Sequence, residues 1–575
     1  MRLVFDIETD DLQATKVWCI VAQNPDSGEI FKFPPSKLED GYNLLATADT
    51  LIGHNIIGFD IPLVERFGNV DLSGKEVIDT LVLSRLFNPT RDGGHSLETW
   101  GYKLGYPKIE FEDYLNYSVD MLNYCVRDVQ LNTRVLQELQ KESKGFDPQC
   151  ITIEQGVAKI MKQQEADGFE FDMQLALSLL AELREKKQLI ESEVHETFKP
   201  KWVDTKEVTP YIKKDGNLSK RGLTDEEYQR CLDTNNFNPF MRQTLQEFNL
   251  GSRKQIGEYL IDFGWKPKKF TPTGQPIVDE GTLKKIEHIR EAKLIADFLL
   301  YQKRIAQVTS WIDELKDDRV HGSVIPNGTI TGRMTHRNPN MAQVPNAGSP
   351  YGKECRSCWT IPNGYKLVGI DASGLELRML AHYMDDSDYI EEVINGDIHT
   401  TNQNLAGLKT RDQAKTFIYA LVYGAGDAKI GSVAGGGLKK GKELKQTFFK
   451  NLPSLRTLKD KVQKASERGF LKGLDGRKIY VRSQHAALNT LLQGGGAIVM
   501  KKAMCILQEL INLNSLDAKF VANIHDEWQI QVKESQAEFV GQLGVEAIEK
   551  ASQHFNMRCP LTGEYKIGEN WYETH

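Results

Sequence analysis

The chain has 575 residues, of which 40% are hydrophobic, 26% charged and 9% aromatic. These values are typical of globular proteins and exclude a largely disordered or fibrous chain, and the length allows about three to five domains. The net charge of −7 at pH 7 argues against a strongly basic, nucleic-acid-binding surface. Eight cysteines are too few for a disulfide framework. With no signal peptide and no long apolar run, we expect a reducing compartment and no membrane span.

Charge and predicted elements change along the chain. Residues 1–150 carry 24 acidic and 14 basic side chains, a net charge of −10, so the remaining residues carry a net +3. Short apolar runs alternate with helical patterns over 1–145, which predicts an α/β domain. Helical periodicity continues over 150–200 and 281–316. Residues 201–240 are polar and rich in turn formers, with little core signal.

The C-terminal part begins with a loop-like stretch at 322–352 that is dense in Gly, Pro and Asn. A strand predicted at 365–371 leads into helices, and a strand–turn–strand is predicted at 518–532. Segment 436–443 nearly spells a phosphate-binding P-loop. Because Glu443 stands where that loop needs a hydroxyl, and no buried strand precedes it, we expect a basic solvated surface instead.

Two acidic residues, Asp6 and Glu8, sit two apart in an apolar run near the N-terminus. On a strand this spacing points both carboxylates to one face. Asp60 follows a loop of small residues, and Tyr124 and Asp128 lie four apart on one face of a predicted helix. Isolated acid pairs are mostly surface residues, but four acids and a tyrosine can hold two divalent cations for phosphodiester cleavage. Carboxylates suit Mg²⁺, which takes oxygen ligands.

The order DIET, GHNIIGFD and YCVRD within 128 residues resembles the DEDD exonuclease superfamily, in its tyrosine branch. The resemblance implies a 3′–5′ proofreading exonuclease domain over 1–145, on an RNase H-like fold. It also implies that Tyr124 orients the nucleophilic water. The ligands that it implies for two Mg²⁺ ions are Asp6, Glu8, Asp60 and Asp128.

A second set of residues lies in the C-terminal part. Asp371 ends a predicted strand, and Asp526 and Glu527 lie at the tip of a predicted hairpin. Alone, these are a common capping residue and a commonly solvated acid pair. A helix between them carries four residues near one face, namely Arg411, Lys415, Tyr419 and Tyr423. Such cations can bind a triphosphate while aromatic rings stack on a base.

These segments resemble family A, the DNA polymerase I family. DASGLELR from Asp371 matches motif A, RDQAKTFIYALVYG at 411–424 matches motif B, and HDE at 525–527 matches motif C. TGR, NPNMAQVP and LDGRKIYVRSQHAALNTLLQGGGA also match, and the resemblance extends over nearly the whole chain. It is greatest for replicative polymerases of short-tailed phages of the bacteriophage T-seven type. It implies template-directed addition of dNTPs 5′ to 3′ on primed DNA in phage genome replication, in the cytoplasm of the infected bacterium.

The resemblance implies a role for each residue of the polymerase site. Asp371 and Asp526 hold two Mg²⁺ ions, and Glu527 is a catalytic acid near the primer terminus. Lys415 protonates the leaving pyrophosphate. The residues implied to bind the dNTP are Arg411, Lys415, His399, Tyr419, Tyr423 and Glu376.

Two of these residues imply how sugars are selected, and others imply DNA contacts. Glu376 and Tyr423 exclude a 2′-hydroxyl, and a tyrosine at Tyr419 implies poor discrimination against dideoxynucleotides. The residues implied to bind DNA are Arg333, Gln493, His525 and Asn489. Arg333 and Gln493 read the minor groove, where every Watson–Crick pair presents comparable acceptors. The alternative that these two bind only the backbone stays open.

The implied fold class combines α/β and α+β domains: an RNase H-like exonuclease domain, then a right-hand polymerase. The implied domains are the exonuclease at 1–145, the thumb at 150–335, the palm at 336–384 and 500–575, and the fingers at 385–499. Relatives bind host thioredoxin through a long thumb insertion. Only the stretch 201–236 fills that place here, and because it is too short for the full loop, thioredoxin is not carried over as a partner. The expected partners are primer–template DNA, dNTPs, a phage helicase and primase, and a single-strand-binding protein.

Three rival functions remain as alternatives. An exonuclease that has lost synthesis would need a broken motif A, B or C, and none is broken. A non-catalytic primer–template-binding factor would have no need of six metal-holding carboxylates. A helicase would need a true P-loop. The sequence leaves open any role of the CxxC pair Cys355 and Cys358.

Overall fold

The structure is a computed structural model and describes all 575 residues. Two compact units are present, one formed by residues 1–173 with 314–575 and the other by residues 174–313. The boundaries expected for the exonuclease, thumb, palm and fingers stay a prediction. None of the helices combines the length and the apolar character that a membrane span requires.

A five-stranded sheet organises the N-terminal part of the first unit. The elements are β1 (Arg2–Thr9), β2 (Val17–Gln23), β3 (Ile30–Phe33), α1 (Leu38–Thr47), β4 (Thr50–Gly53), α2 (Asp60–Gly68), β5 (Glu76–Asp79), α3 (Thr80–Phe87), α4 (Leu97–Lys103), α5 (Val119–Glu142), α6 (Pro148–Asp167) and β6 (Phe169–Glu170). The strand order is β3-β2-β1-β4-β5. β1 is antiparallel to β2 and parallel to β4, so the predicted α/β domain is confirmed.

Helix α5 lies against this sheet because its apolar residues recur with helical spacing. Met121, Cys125 and Val129 are fully buried in one cluster with Val4 of β1 and Val21 of β2. The same spacing places Tyr124 and Asp128 beside that apolar stripe. The helix therefore carries these two residues to the edge of the first acidic strand.

The second unit is largely helical and has its own core. Its elements are α7 (Met173–Thr197), β7 (Lys201–Val208), α8 (Asp225–Thr234), β8 (Phe240–Gln246), α9 (Arg253–Asp262), α10 (Glu280–Lys285) and α11 (Arg290–Asp313). Phe198 stacks on Phe248 with ring centroids 4.4 Å apart, within a buried cluster that includes Ile256 and Ile295. The helical periodicity predicted at both ends of this region is confirmed.

The polar stretch 201–240 contains regular structure that its composition did not indicate. β7 and β8 form a two-stranded antiparallel sheet in which Trp202 faces Leu245. Both residues are more than half exposed, and most of this sheet is solvated. Because neither strand has a buried face, the alternation of apolar and polar residues that marks a strand is missing from the sequence.

The remainder of the first unit surrounds a four-stranded antiparallel sheet of order β16-β17-β13-β18. Its elements are β9 (Leu315–Lys316), β10 (Arg319–Val320), β11 (Ser323–Ile325), β12 (Thr335–Arg337), α12 (Gly352–Ser357), β13 (Tyr365–Ala372), α13 (Leu375–Met384), α14 (Ser387–Asn395), α15 (Ile398–Ala406), α16 (Arg411–Val422), α17 (Asp427–Val433), α18 (Leu438–Asn451), α19 (Pro453–Ser466), β14 (Phe470–Lys472), β15 (Lys478–Tyr480), α20 (Ala487–Leu513), β16 (Ala518–Ile524), β17 (Glu527–Lys533), α21 (Ala537–His554) and β18 (Gly563–Gly568). Single 3₁₀ turns lie at Pro35–Lys37, Met341–Gln343, Gln484–Ala486 and Glu534–Gln536.

The core of this part lies between the sheet and the helices α20 and α21. Val368 and Ile370 of β13 and Trp528 of β17 are fully buried, in one cluster with Val540 and Ala547 of α21. The strand at 365–371 and the hairpin at 518–532 are therefore confirmed. The P-loop-like segment at 436–443 opens α18 without a preceding strand, as expected. All eight cysteines are free thiols.

Candidate active sites

The first carboxylate cluster is assembled by β1, α2 and α5. Asp6 and Glu8 lie on β1, Asp60 opens α2, and Asp128 lies on α5. The backbone N–H of Ile7 donates a 3.2 Å hydrogen bond to Asp60 Oδ1, which ties the start of α2 to the strand. Glu8, Asp60 and Asp128 are only 7%, 3% and 4% exposed. The structure thus brings together the four acids that the sequence assigned to one site.

Burial of negative charge dominates the electrostatics of this cluster. Burial, reinforced by Asp60 and Glu8, raises the pKa of Asp6 well above its ordinary value. Burial raises the pKa of Glu8 to about 9 and that of Asp60 to about 7. It also raises the pKa of Asp128, although the Lys108 ammonium opposes it. Acids crowded in this way favour a divalent cation, whose charge compensates theirs.

Tyr124 and Lys108 complete the edge of the cluster. Tyr124 is 9% exposed and packs against Phe111 with ring centroids 5.5 Å apart. Burial raises the pKa of Tyr124 above its ordinary value, so the phenol keeps its proton and can donate a hydrogen bond. Lys108 Nζ lies 2.6 Å from Asp128 Oδ2 and 4.7 Å from the centre of the Tyr124 ring. Lys108 was not predicted, because it lies outside the three motifs.

A cavity of about 490 Å³ lies beside the loop 54–58 that precedes Asp60. Its walls include Arg85 of α3, Lys162 of α6 and Arg337 of β12. Burial lowers the pKa of Arg85, the Asp79 carboxylate opposes this effect, and the Arg337 guanidinium adds to it. Asp79 and Glu165 also line the cavity, and Lys162 Nζ lies 3.7 Å from Glu165 Oε2, so the net positive charge of the walls is small. The two guanidinium groups suit phosphate. None of these three cations belongs to a sequence motif.

The second carboxylate cluster lies at one end of the four-stranded sheet. Asp371 on β13 pairs with Glu527 on β17 in the antiparallel register. The backbone N–H of Ala372 donates a 3.3 Å hydrogen bond to the carbonyl oxygen of Asp526. His525 has a left-handed backbone with φ 58°, which makes the tight turn between β16 and β17. The turn thus places the acids of motifs A and C side by side.

The three acids of this cluster have different electrostatic environments. Burial, and then the Asp526 carboxylate, raise the pKa of Asp371 to about 7. Burial, and then Glu376, raise the pKa of Asp526 to about 6. Burial acts in the same direction on Glu527, but hydrogen bonding to His575 and Trp571 outweighs it and lowers the pKa of Glu527. Asp371 and Asp526 therefore suit a shared divalent cation better than Glu527 does.

Residues at the C-terminus of the chain account for the lowered pKa of Glu527. Trp571 Nε1 donates a 2.6 Å hydrogen bond to Glu527 Oε1, and Gln529 Nε2 donates one of 2.7 Å to the same oxygen. His575 Nδ1 lies 2.9 Å from Glu527 Oε2. Both carboxylate oxygens are therefore held by neighbours. The C-terminal contacts were not predicted, because no motif includes residues 571–575.

Glu376 connects the second cluster to helix α16. The Tyr423 hydroxyl donates a 2.6 Å hydrogen bond to Glu376 Oε1, and Arg333 Nη2 lies 3.7 Å from the same oxygen. The rings of Tyr419 and Tyr423 are stacked, with centroids 6.4 Å apart and planes inclined by 22°. The stacked rings agree with the predicted row, and Tyr423, just past the end of α16, contacts Glu376 in the first turn of α13.

The cations of α16 lie at its opposite end. Arg411 Nε is 2.7 Å from Asp397 Oδ2, and Lys415 follows one turn later and is exposed. The His399 ring lies 6.2 Å from that of Tyr419, and its Nδ1 is buried without a hydrogen-bond partner. Burial, and then Arg411 and Lys415, lower the pKa of His399. This positively charged surface suits a triphosphate.

Gln493 and Asn489 lie one turn apart on α20 and are half-buried. Asn489 lines a cavity of about 410 Å³ together with Gly424 and Gly426, and its Oδ1 is buried without a hydrogen-bond partner. The cavity lies where α16 ends, next to the row of tyrosines. The DNA contacts expected of Gln493 and Asn489 stay predictions.

Comparison with known proteins agrees with this geometry. The family model for DNA polymerase family A matches residues 225–573. The chain is 34% identical to the DNA-directed DNA polymerase of Enterobacteria phage T3 and 33% identical to that of Escherichia phage T7, in each case over all of both chains. It is 28% identical to DNA polymerase I of Pseudomonas aeruginosa, over 57% of this chain and 39% of that protein.

Among solved structures, the POL domain of Pol1 from M. smegmatis, in complex with DNA primer-template and dNTP, matches with a TM-score of 0.79. The match has 18% sequence identity and covers 100% of this chain and 96% of that chain. This likeness confirms the predicted fold class. The family match over most of the C-terminal two thirds and the full-length identity to two phage polymerases together show that the chain belongs to DNA polymerase family A.

Proposed function

We propose that the chain is a replicative phage DNA polymerase that adds dNTPs 5′ to 3′ on primed DNA and removes mispaired 3′ ends. The observation that carries this proposal is the presence of two separate clusters of closely spaced acids with raised pKa values, one around Asp6 and one around Asp371. The acids on β1 and those at β13 and β17 belong to different sheets, which supports separate sites for the two reactions. The assignment of exonuclease, thumb, palm and fingers follows the predicted boundaries.

At the polymerase site, Asp371 and Asp526 would hold two Mg²⁺ ions, which supply charge neutralisation at the primer 3′ oxygen and the triphosphate. The raised pKa of both acids supports this role, since a divalent cation relieves their repulsion. The chain's own cations bind the substrate: Arg411 and Lys415 contact the triphosphate, with His399 beside them. Lys415 gives a proton to the leaving pyrophosphate.

Sugar and base-pair selection belong to the residues around Glu376. The hydrogen bond from Tyr423 fixes the Glu376 carboxylate, which supports the role implied by the family resemblance. In that role Glu376 lies beneath the incoming sugar and excludes a 2′-hydroxyl. Arg333 lies next to the same carboxylate and donates to the minor groove of the new pair, as does Gln493. His525, on the strained turn, lies near the primer terminus.

At the exonuclease site, Asp6, Glu8, Asp60 and Asp128 would hold two Mg²⁺ ions, which supply the charge that this cluster lacks. Tyr124 keeps its proton and donates a hydrogen bond to the attacking water. The two guanidinium groups of the cavity beside the cluster, Arg85 and Arg337, bind phosphates of the frayed strand. Guanidinium groups match the geometry of phosphate oxygens, which is the reason for this assignment.

The substrates and partners follow from this activity. The substrates are primer–template DNA and dNTPs, the ligands in the mycobacterial complex. In phage replication a helicase, a primase and a single-strand-binding protein act on the same fork, inside the cytoplasm of the infected bacterium. The role of Mg²⁺ rests on the oxygen-only character of the acids at the polymerase site.

Separate variants at the two clusters test this proposal. Asp371→Ala or Asp526→Ala should abolish primer extension and leave 3′ trimming of a mispaired primer intact. Asp6→Ala combined with Glu8→Ala should abolish trimming and leave extension intact. Glu546→Ala, at an exposed ion pair on α21, serves as the control and should change neither rate. Loss of both activities in either set would contradict the assignment of two sites.

A further inference from the structure

A thiol lies at the floor of the exonuclease carboxylate cluster. Cys125 is on α5, between Tyr124 and Asp128, and its Sγ lies 3.5 Å from the backbone carbonyl oxygen of Asp6 and 3.9 Å from Asp6 Oδ2. One ligand atom each from Asp6, Glu8 and Cys125 lie within 4.8 Å of one another. No other three histidine, cysteine or carboxylate side chains bring ligand atoms so close together.

The packing of α5 on the sheet holds the thiol in this place. Cys125 is fully buried, and so is Cys19, which faces Glu8 in the register of β1 and β2. Asp128, one turn further along α5, is 4% exposed, and its Oδ1 is buried without a hydrogen-bond partner. The site therefore has a soft sulfur atom among hard oxygen atoms, with one ligating oxygen still unused.

The combination of sulfur and oxygen donor atoms determines which divalent cation binds at this position. Magnesium takes oxygen ligands and gains nothing from sulfur, whereas Zn²⁺ and Cd²⁺ bind thiolates strongly. Zinc sits about 2.3 Å from sulfur and about 2.0–2.2 Å from carboxylate oxygen, so two ligand atoms of one ion lie at most about 4.5 Å apart. The 3.9 Å between Cys125 Sγ and Asp6 Oδ2 is within this limit, and the 4.8 Å bound on the whole set exceeds it by a few tenths of an ångström. A cation in contact with the thiol also removes its proton.

We propose that Cys125 is a further ligand of the exonuclease site, so that the position between Asp6, Glu8 and Cys125 accepts a thiophilic divalent cation in place of one of the two Mg²⁺ ions. The inference rests on the proposed function of the two acids as metal ligands. Binding forms one metal–sulfur bond, breaks the S–H bond and releases that proton to solvent. A purely structural role, in which the thiol donates a hydrogen bond to the Asp6 carbonyl, is the competing explanation.

Substitution by serine separates the two explanations, because a hydroxyl keeps the hydrogen-bond donor and loses the sulfur. The metal-free full chain is titrated with Cd²⁺, and thiolate-to-cadmium ultraviolet absorption and affinity are recorded. We expect one equivalent of charge-transfer absorption in the wild type. Cys125→Ser and Cys125→Ala should both lose it and bind Cd²⁺ roughly tenfold or more weakly. Cys231→Ser, at a buried thiol remote in sequence, should match the wild type.

Primer extension by each variant shows that it is folded. Unchanged cadmium absorption and affinity in Cys125→Ser would overturn the proposal, as would their loss in Cys125→Ala alone, which is the pattern of a structural hydrogen bond. Absence of Mg²⁺-dependent 3′ trimming in the wild type would instead overturn the proposed exonuclease function. The spectroscopic result does not depend on trimming, so the two failures are distinguishable.

Discussion

At the scale of single residues, neighbouring acids in one cluster differ by their surroundings. Asp371 and Glu527 are directly paired across two strands, yet the pKa of the first is raised and that of the second lowered. Asp371 meets burial and like charge, whereas Glu527 accepts hydrogen bonds from His575 and Trp571. These different environments are consistent with the proposal that Asp371 rather than Glu527 is a metal ligand.

The raised pKa of Asp371 predicts a stability that depends on pH in the metal-free chain. Its folded-state pKa is about 7, against an ordinary value of 3.8. Below about pH 4 the carboxyl is neutral in both states and contributes nothing. As the pH rises from about 4 to about 7, the unfolded chain loses this proton first, so the folded state becomes less stable, and above about 7 the loss is complete.

Asp371→Asn should therefore melt at a higher temperature than the wild type at about pH 8 and at the same temperature near pH 4, both in EDTA. The expected gain is roughly 1 °C for each kcal/mol relieved, because the entropy of unfolding grows with chain length. Melting is followed by calorimetry, with Asp460→Asn at an exposed site as the control. A variant that melts with the wild type at the higher pH would show that the carboxylate is not destabilised by burial.

The acids of both clusters could be predicted from the sequence, but their partners could not. Each acid lies in a short motif with a characteristic spacing, so local pattern is enough to find it. Lys108 and Cys125 contribute to the first cluster only because α5 and a preceding loop pack against β1. Arg85 and Arg337 lie far apart in sequence and meet at one cavity. Contacts of this kind depend on tertiary packing and leave no periodic signal.

At the scale of elements, a buried charge network links α6, α20 and the turn between β14 and β15. Arg477 Nη2 lies 2.6 Å from Asp475 Oδ2, and Glu154 Oε1 accepts hydrogen bonds from both Arg477 and Lys501. All four side chains are at most 4% exposed. Two acids and two cations balance, so removal of one partner leaves an uncompensated buried charge.

Arg477 also lies beneath the loop that carries Arg333. A Cβ atom at Gly332 would come within 3.1 Å of Arg477 Nη1, and Gly332 has a φ of +76°, which disfavours any other residue. The network therefore supports the backbone next to a residue of the polymerase site. Sequence alone did not indicate it, since Glu154 is separated from its partners by more than 300 residues.

Glu154→Gln should destabilise the folded chain by about 3–5 kcal/mol, because Arg477 and Lys501 lose the carboxylate that compensates them. Denaturant-induced unfolding, followed by circular dichroism, measures the change. Glu546→Gln removes the acid of an exposed ion pair with Lys550 and should cost no more than about 0.5 kcal/mol. Equal effects of the two substitutions would show that the buried network is no more important than a surface pair.

At the scale of the whole molecule, the net charge of −7 is the sum of two unlike regions. The acidity belongs to residues 1–150, where the first cluster lies, whereas residues 409–450 hold nine basic and three acidic side chains. That basic segment includes α16 and α18, and Lys439 and Lys440 are exposed on α18. Positive charge is thus concentrated in the segment that we propose for binding the triphosphate. The chain as a whole is negatively charged, so its net charge does not attract long duplex DNA.

The segment between α7 and α9 is a compact insertion. Thr224 and Glu227 form a capping box at the start of α8, and Arg242 on β8 pairs with Glu227 at 2.7 Å. Val208 and Cys231 are among its few buried residues. The insertion is thus stabilised mainly by hydrogen bonds and an ion pair between its own residues. That this segment does not recruit thioredoxin stays a prediction.

We expect processivity to depend both on the net charge of the chain and on the insertion between α7 and α9. We expect the isolated chain to make short products that shorten further as salt rises, because log affinity falls by about 0.9 per phosphate contact for each tenfold rise in salt. Added thioredoxin should leave product length unchanged. Primer extension on a long single-stranded template, with trap DNA to limit each enzyme to one binding event, measures both effects, and heat-denatured thioredoxin is the control. Long products at physiological salt would contradict weak electrostatic binding of the chain to DNA. Longer products with native but not with heat-denatured thioredoxin would contradict the prediction about the insertion.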